Sequence, residues 1–369
     1  MTQPDFLDKF TTFSKGYRIP RRSQIYVGFQ CHQRCGFCYY RSRCGDKMFD
    51  GEYVLRQIDV ELAYGIKDFE ITGGEPSECD NLRSYCQYIK EKSPDSKIAV
   101  ITNGGLWRSD VWDLIDEVLI SYHLSRKSMN YDHEIFPLGS TFDKVMKTVE
   151  KARESSVMVR TNTVVGSFNL DLLDDIVDDI VECLKPRIVN FLPVNLFEES
   201  EENGMSGYID YVRLRPIMKR NMDKIREKLP DSLLFARYMP FCDMEGYEMH
   251  IVGTLQHMYD FFDWNIELCG QNILQYLDRY KDDKDILKHL GTFGSRTREN
   301  ALLTIHSSYE KPLKCLGCRY FMICDGVEKT RNHVLFDQVR PMKGKMVTDF
   351  MEFMGNVTEK EYDRFYGRN

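Results

Sequence analysis

Six short β-prone runs alternate with longer helical patterns between Gln24 and Asn195, and this rhythm constrains the fold more than any other feature of the chain. The runs are 24–30, 68–73 (DFEITG), 97–104 (KIAVITNG), 117–124 (EVLISYHL), 157–165 (VMVRTNTVV) and 187–195 (RIVNFLPVN). Helical spacing fills the gaps. Val54, Ile58 and Leu62 recur every four residues, with Gly65 as a stop. Leu82, Tyr85, Cys86 and Ile89 share a face that ends before Pro94, and Leu173, Ile176, Val177, Ile180 and Leu184 form another. A helix between successive strands returns the chain to the same end of the sheet, so the strands are predicted parallel. Right-handed crossovers curl such a sheet, and the expected class is α/β, a partial (β/α)6 barrel of parallel strands. Sites in that architecture are built at the C-terminal ends of the strands.

The rhythm breaks after Asn195. EESEENGMSG reads as a loop or linker, a helix is predicted over about 207–228, and one more strand over 232–240. Residues 243–298 read as irregular. The expected division is a barrel over 20–235 and a smaller auxiliary domain over 236–369.

The chain has 369 residues and a net charge of −7, which gives no electrostatic footprint for a polyanion. Small basic clusters at Arg21 and Arg22 and at Arg41 and Arg43 read as solvated or structural. The first ten residues lack the apolar run of a signal peptide, and no window reaches the roughly 18 apolar residues of a membrane span. The expected location is the cytoplasm, without membrane partners. Thiols stay reduced there, so clustered cysteines point to metal or catalysis before disulfides.

Cys31, Cys35 and Cys38 stand in C-x3-C-x2-C spacing directly after the first strand. Structural zinc asks for four ligands, usually in two close pairs, and His32 is a weak fourth because adjacent loop side chains seldom share one ion. Three thiolates on one short loop suit a [4Fe–4S] cluster with one iron open to substrate or cofactor.

CHQRCGFC, with Phe37 before the third cysteine, resembles the signature of the radical S-adenosylmethionine (SAM) superfamily. The resemblance implies that the open iron chelates SAM, that reductive cleavage yields a 5′-deoxyadenosyl radical, and that this radical takes a hydrogen atom from substrate. It also implies an electron donor such as flavodoxin or ferredoxin. ITGGEP, with Gly73, Gly74 and Glu75, reads by itself as a tight strand-to-helix turn; one β-α unit after the cysteine loop, it resembles the family's motif for the SAM amino group. Asn103 is either a mouth residue or a turn asparagine. Ser121 ends the fourth strand, where the family often uses a polar residue for the SAM ribose, and His123 is a lesser candidate there. Arg160 needs a partner in an apolar strand, either the SAM carboxylate or an internal carboxylate. Leu192, beside Pro193, either lines the adenine or belongs to the core.

A second constellation follows at Cys315, Cys318 and Cys324, with Cys242 earlier at a strand end. Four thiolates from two segments can close a metal site, either a zinc knuckle or a second [4Fe–4S] cluster. The arrangement resembles the SPASM and twitch extensions of radical SAM enzymes. A full SPASM pattern would place another cysteine where Glu328 stands, so a single auxiliary cluster is expected, with Cys269 as the spare fourth ligand. Cys86 and Cys183 read as core thiols, and Cys44 and Cys79 as structural rather than hydrogen donors.

The expected activity is radical modification of an unactivated carbon on a peptide or amino-acid side chain. The alternatives are a modified nucleobase or its amino-acid adduct, with nucleic acid as a possible partner, and a non-catalytic metal scaffold.

Overall fold

Each of the six β-prone runs forms a strand; β1 starts earlier, at Arg22, and all but β5 end before their runs do, the last residues leaving the ladder to build loops. The computed structural model describes residues 22–33, 35–38, 47–64, 66–128, 142–194, 210–257, 260, 266–267, 309–329 and 336–353. The strands are β1 (Arg22–Tyr26), β2 (Asp68–Thr72), β3 (Ile98–Thr102), β4 (Glu117–Ser121), β5 (Met158–Val165) and β6 (Ile188–Pro193). β1 stops at Tyr26 because Gly28 turns away to bridge Met48. Consecutive strands pair in parallel throughout.

The sheet does not end at six strands. β7 (Leu233–Arg237) and β8 (Ile251–Val252) extend it past β6, and β9 (Ile266–Glu267) lies on β1, all in parallel. The order is β8-β7-β6-β5-β4-β3-β2-β1-β9, a curled half-barrel of α/β type. The barrel sheet therefore reaches beyond residue 235, into a stretch that reads as irregular because β8 is too short to show an alternating pattern. The helices are α1 (Gly51–Tyr64), α2 (Leu82–Lys92), α3 (Phe142–Glu154), α4 (Leu173–Asp179, widening into a π turn through Leu184), α5 (Tyr211–Lys228) and α6 (Thr254–His257). Among the described residues no helix is long and apolar enough to cross a membrane.

Alternation divides the two faces of the sheet. Ile25, Ile71, Val100, Val118 and Val159 lie in register across five strands and are buried. They share one core with Val54 and Ile58 of α1, Cys86 and Ile89 of α2, and Val145 and Val149 of α3. Each such aliphatic side chain contributes about 1.5–3 kcal/mol when buried. The hydrophobic core thus lies between sheet and helices. The opposite, concave face carries Gln24, Glu70, Glu117, Arg160, Asn162 and Asn190 and is polar.

Candidate active site

The cysteine loop is anchored at its root by the turn after β2. The Gly74 N–H donates to Gly28 O at 2.9 Å, and the Glu75 N–H donates to Gln30 O at 2.9 Å. A Cβ on Gly73 would stand 2.1 Å from Gly28 O, and one on Gly74 would stand 2.0 Å from Gln30 O. Gly73 also adopts φ +144°, which L side chains rarely accept. The two glycines therefore let the backbone leading to Cys31 lie flat on the β2 turn.

Cys31, Cys35 and Cys38 are half-buried, and the Cys38 N–H donates to Cys35 O at 3.1 Å, closing a turn between two of the thiols. Burial pushes the Cys31 thiol up to about 12, assisted by the negative charges of Glu75, Glu78 and Cys38. Such a thiol ionises only with a cation beside it, so metal binding there releases protons. Among the described residues no three His, Cys, Asp or Glu side chains have already converged on one point. The donor set and its surroundings nevertheless fit an iron–sulfur cluster: three thiols lie on one strand-end loop, and His32 is engaged elsewhere. The His32 ring pairs with Glu78 through Nδ1, and its Nε2 lies 3.0 Å from Lys144 Nζ.

Glu75 is 1% exposed, and its carboxylate is fixed on three sides. Oε1 accepts from the Ser77 N–H at 3.1 Å and from the Thr102 hydroxyl at 2.7 Å, and Oε2 accepts from the Asn103 N–H at 2.6 Å. A carboxylate has about four acceptor positions, so one on Oε2 remains for a further donor. Asn103 thus serves Glu75 through its backbone, while its side-chain oxygen lies 3.4 Å from Lys144 Nζ.

Phe37 reaches across to the ends of β4 and β5. It stacks on Phe168 at 5.2 Å between centroids and meets the edge of His123 at 4.9 Å. His123 Nδ1 accepts from the Val164 N–H at 3.1 Å, and burial pushes the ring down to about 3, so it is a neutral wall. Ser121 is half-buried at the end of β4, in register with Asn162. Leu192 is half-buried in β6, in register with Val164.

Sequence reasoning missed the continuation of this polar row. Asn190 Nδ2 donates to Asn162 Oδ1 at 2.8 Å, Arg237 Nε donates to Asn190 Oδ1 at 3.2 Å, and Arg237 pairs with Asp260 at 2.8 Å. The available signal was the spacing of polar residues at strand positions that alternate onto one face.

Arg160 stands apart from this group. It is the third residue of β5, well before the C-terminal end, and is fully buried. Its Nη1 donates to Glu117 Oε2 at 2.8 Å and to Glu70 Oε1 at 3.2 Å, and Arg22 also donates to Glu117 at 3.1 Å. The internal ion pair accounts for this arginine, and the expected grip on the SAM carboxylate is withdrawn. A parallel strand rises about 3.3 Å per residue, so Arg160 lies roughly 17 Å below the end of β5 at Val165.

In the C-terminal part, Cys242, Cys315, Cys318 and Cys324 line one cavity, closed by Pro240, Tyr320 and other largely apolar groups. Backbone N–H groups point at the sulfurs: Met342 at Cys318 (3.3 Å), Arg340 at Cys242 and Gly326 at Cys324. Burial raises the Cys242 thiol, and it raises Cys324 to about 11. Four thiols with N–H···S donors in a largely apolar pocket fit a closed cluster. Cys242 is in the cavity; Cys44 and Cys269 lie outside the described residues. Cys86 is core, whereas Cys183 is half-buried beside Arg126.

Residues 25–180 match the family model described as the radical SAM superfamily. Residues 25–180 thus form a radical SAM domain. Over 175 residues it is 29% identical to a GTP 3′,8-cyclase of Clostridium perfringens, covering 45% of this chain and 53% of that one. Over 252 residues it is 24% identical to the S-adenosylmethionine-dependent nucleotide dehydratase RSAD2 of Oncorhynchus mykiss, covering 62% and 71%. The chain spans about half the length of the first two cyclases it matches. The crystal structure of Streptococcus suis SuiB bound to precursor peptide SuiA aligns with a TM-score of 0.57 at 16% identity, over 94% of this chain and 79% of that one. That likeness concerns the fold. The radical SAM family implies SAM and a [4Fe–4S] cluster, and the cysteine loop resting on the β2 turn lies within the matched residues.

Proposed function

We propose that this radical SAM enzyme abstracts hydrogen from a nucleotide or a nucleotide-derived small molecule. Bound at Cys31, Cys35 and Cys38, a [4Fe–4S] cluster with SAM supplies the 5′-deoxyadenosyl radical that takes the hydrogen atom. The observation that carries the reading is the pair of backbone hydrogen bonds that hold the cysteine loop on the Gly73–Glu75 turn. They fix the thiols and the free acceptor of Glu75 in one frame, as binding of the SAM amino group beside a cluster requires. Phe37, Ser121 and Leu192 complete that side of the chamber.

The substrate class rests on the relatives, which are named for nucleotide chemistry. The peptide substrate expected from sequence gives way to a nucleotide, a class nearer to the modified-nucleobase alternative. The half-buried Asn162 amide, oriented by Asn190, favours it too, because its Nδ2 can donate to base edges and sugar hydroxyls.

Cys242, Cys315, Cys318 and Cys324 hold a second cluster in this reading. Four thiolates leave no open iron, so this cluster exchanges electrons rather than binding substrate. A low-potential carrier such as flavodoxin or ferredoxin supplies the electron for SAM cleavage.

The test is label transfer. Anaerobic, reconstituted protein receives SAM, reductant and purine or pyrimidine nucleotides deuterated in the sugar or base. Deuterium in 5′-deoxyadenosine from one of them identifies the substrate. Label arriving only from deuterated peptides would overturn the nucleotide reading, and absence of 5′-deoxyadenosine would overturn the activity.

A further inference from the structure

The two segments that wall the C-terminal thiols are basic in an acidic protein. Residues 311–319 and 340–347 carry Lys311, Lys314, Arg319, Arg340, Lys343 and Lys345 and no Asp or Glu, while the whole chain has a net charge of −7. The segments are laced together. The Arg319 N–H donates to Met342 O at 2.8 Å, and the Val347 N–H donates to Arg319 O at 2.8 Å. Lys311 turns inward, donating to Phe321 O at 2.8 Å. Lys314, Arg340, Lys343 and Lys345 are exposed.

An apolar knob rises among these cations. Leu313 is 85% exposed and Leu316 is 62% exposed, both on the short 3-10 turn Leu313–Gly317 that contains Cys315. Leu316 falls between Cys315 and Cys318 in sequence, so whatever covers it comes within two residues of both thiols. Aliphatic side chains exposed to this degree beside a buried site mark a contact surface.

We propose that this ridge docks a small acidic flavin-bearing electron carrier, which exchanges one electron with the C-terminal cluster. The inference rests on the second-cluster reading above. A [4Fe–4S] cluster held by these four thiols, once reduced by the substrate-derived radical, would give one electron to the oxidised flavin, which would take a proton from solvent and become the neutral semiquinone. Redox encounters are small and transient, with an apolar centre and a charged rim. The two leucines and the four exposed cations supply that layout. A nucleic acid strand would call for aromatic platforms, and the exposed apolar residues here are aliphatic.

The experiment uses the full chain carrying Cys31→Ala, Cys35→Ala and Cys38→Ala, so that only the C-terminal cluster is observed. Iron content is measured first; a chain without iron removes the second-cluster reading, and the docking proposal goes with it. With iron present, the reduced protein is mixed with oxidised flavodoxin, and semiquinone formation is followed while salt is raised. The expected rate falls with ionic strength, and Lys314→Glu with Lys343→Glu and Lys345→Glu lowers it about 10-fold at low salt. Leu316→Ser lowers it as well and raises the Kd for oxidised flavodoxin, while reduction by dithionite stays unchanged. Equal rates in all variants would overturn the proposal. So would a ridge that binds a single-stranded oligonucleotide while the flavodoxin rate ignores the lysines.

Discussion

Arg160 Nη1 lies 2.8 Å from Glu117 Oε2 and 3.2 Å from Glu70 Oε1, and Arg22 closes the group from the other side. Two guanidinium groups and two carboxylates are thus buried together on the concave face. Burial alone would raise the Glu117 carboxyl, but Arg22 and Arg160 outweigh it and hold the group below its ordinary range. A depressed carboxyl contributes stability above its unfolded value and loses it as pH falls through the folded value. Arg160→Met should cost about 3–5 kcal/mol in urea unfolding at neutral pH. Its acid unfolding should begin at higher pH than wild type. The folded fraction should bind SAM with unchanged affinity, and weakened binding would return Arg160 to the site.

Glu61 of α1 presents the opposite sign. Its side chain is fully buried, and burial raises its carboxyl well above the ordinary value, against a smaller lowering by Ser23. The unfolded chain ionises first, so stability should decline as pH rises above about 4.5. Glu61→Gln should stabilise by about 1–2 kcal/mol at pH 8 and by less at pH 5. Denaturant midpoints at the two pH values check this; a uniform loss would contradict it.

Gly74→Ala forces a methyl group against Gln30 O, because its Cβ would stand 2.0 Å away. The cysteine loop should lift from the β2 turn. In the two-cluster reading, the reconstituted variant should hold about four irons, those of the C-terminal site, against about eight expected for wild type. Retention of the full complement with normal SAM cleavage would show that the close approach is dispensable.

Glu75→Gln keeps the size of the side chain but removes the charge that the SAM ammonium would meet. One of its terminal atoms becomes a donor facing Thr102 or the Asn103 N–H. SAM affinity should fall about 10-fold or more, with both clusters intact by iron content.

Local pattern carried the strands because alternation and apolar helix spacing are written in neighbouring residues. The cysteine loop and the Gly-Gly-Glu turn were legible for the same reason. Arg160 was not, because its partners lie 43 and 90 residues away and a lone arginine in a strand does not name its counter-charge. The glycines were read as a tight turn carrying a SAM motif, whereas they also make room for the backbone of residues 28–30. The Asn162–Asn190–Arg237 row emerged only once register was known.

Asp325 follows Cys324 directly, and its Oδ2 accepts from the Thr254 N–H and hydroxyl at 2.7 and 2.8 Å. Thr254 begins α6, two residues after β8 ends. The wall of the C-terminal pocket is therefore latched to the outermost strand on that side of the barrel. In the second-cluster reading, a chain that lacks that cluster should loosen the strand and bare the β7 backbone, a template on which other copies can pair. Preparations made without iron should therefore precipitate through intermolecular sheet growth, starting at the end of the molecule farthest along the sheet from the Cys31 loop.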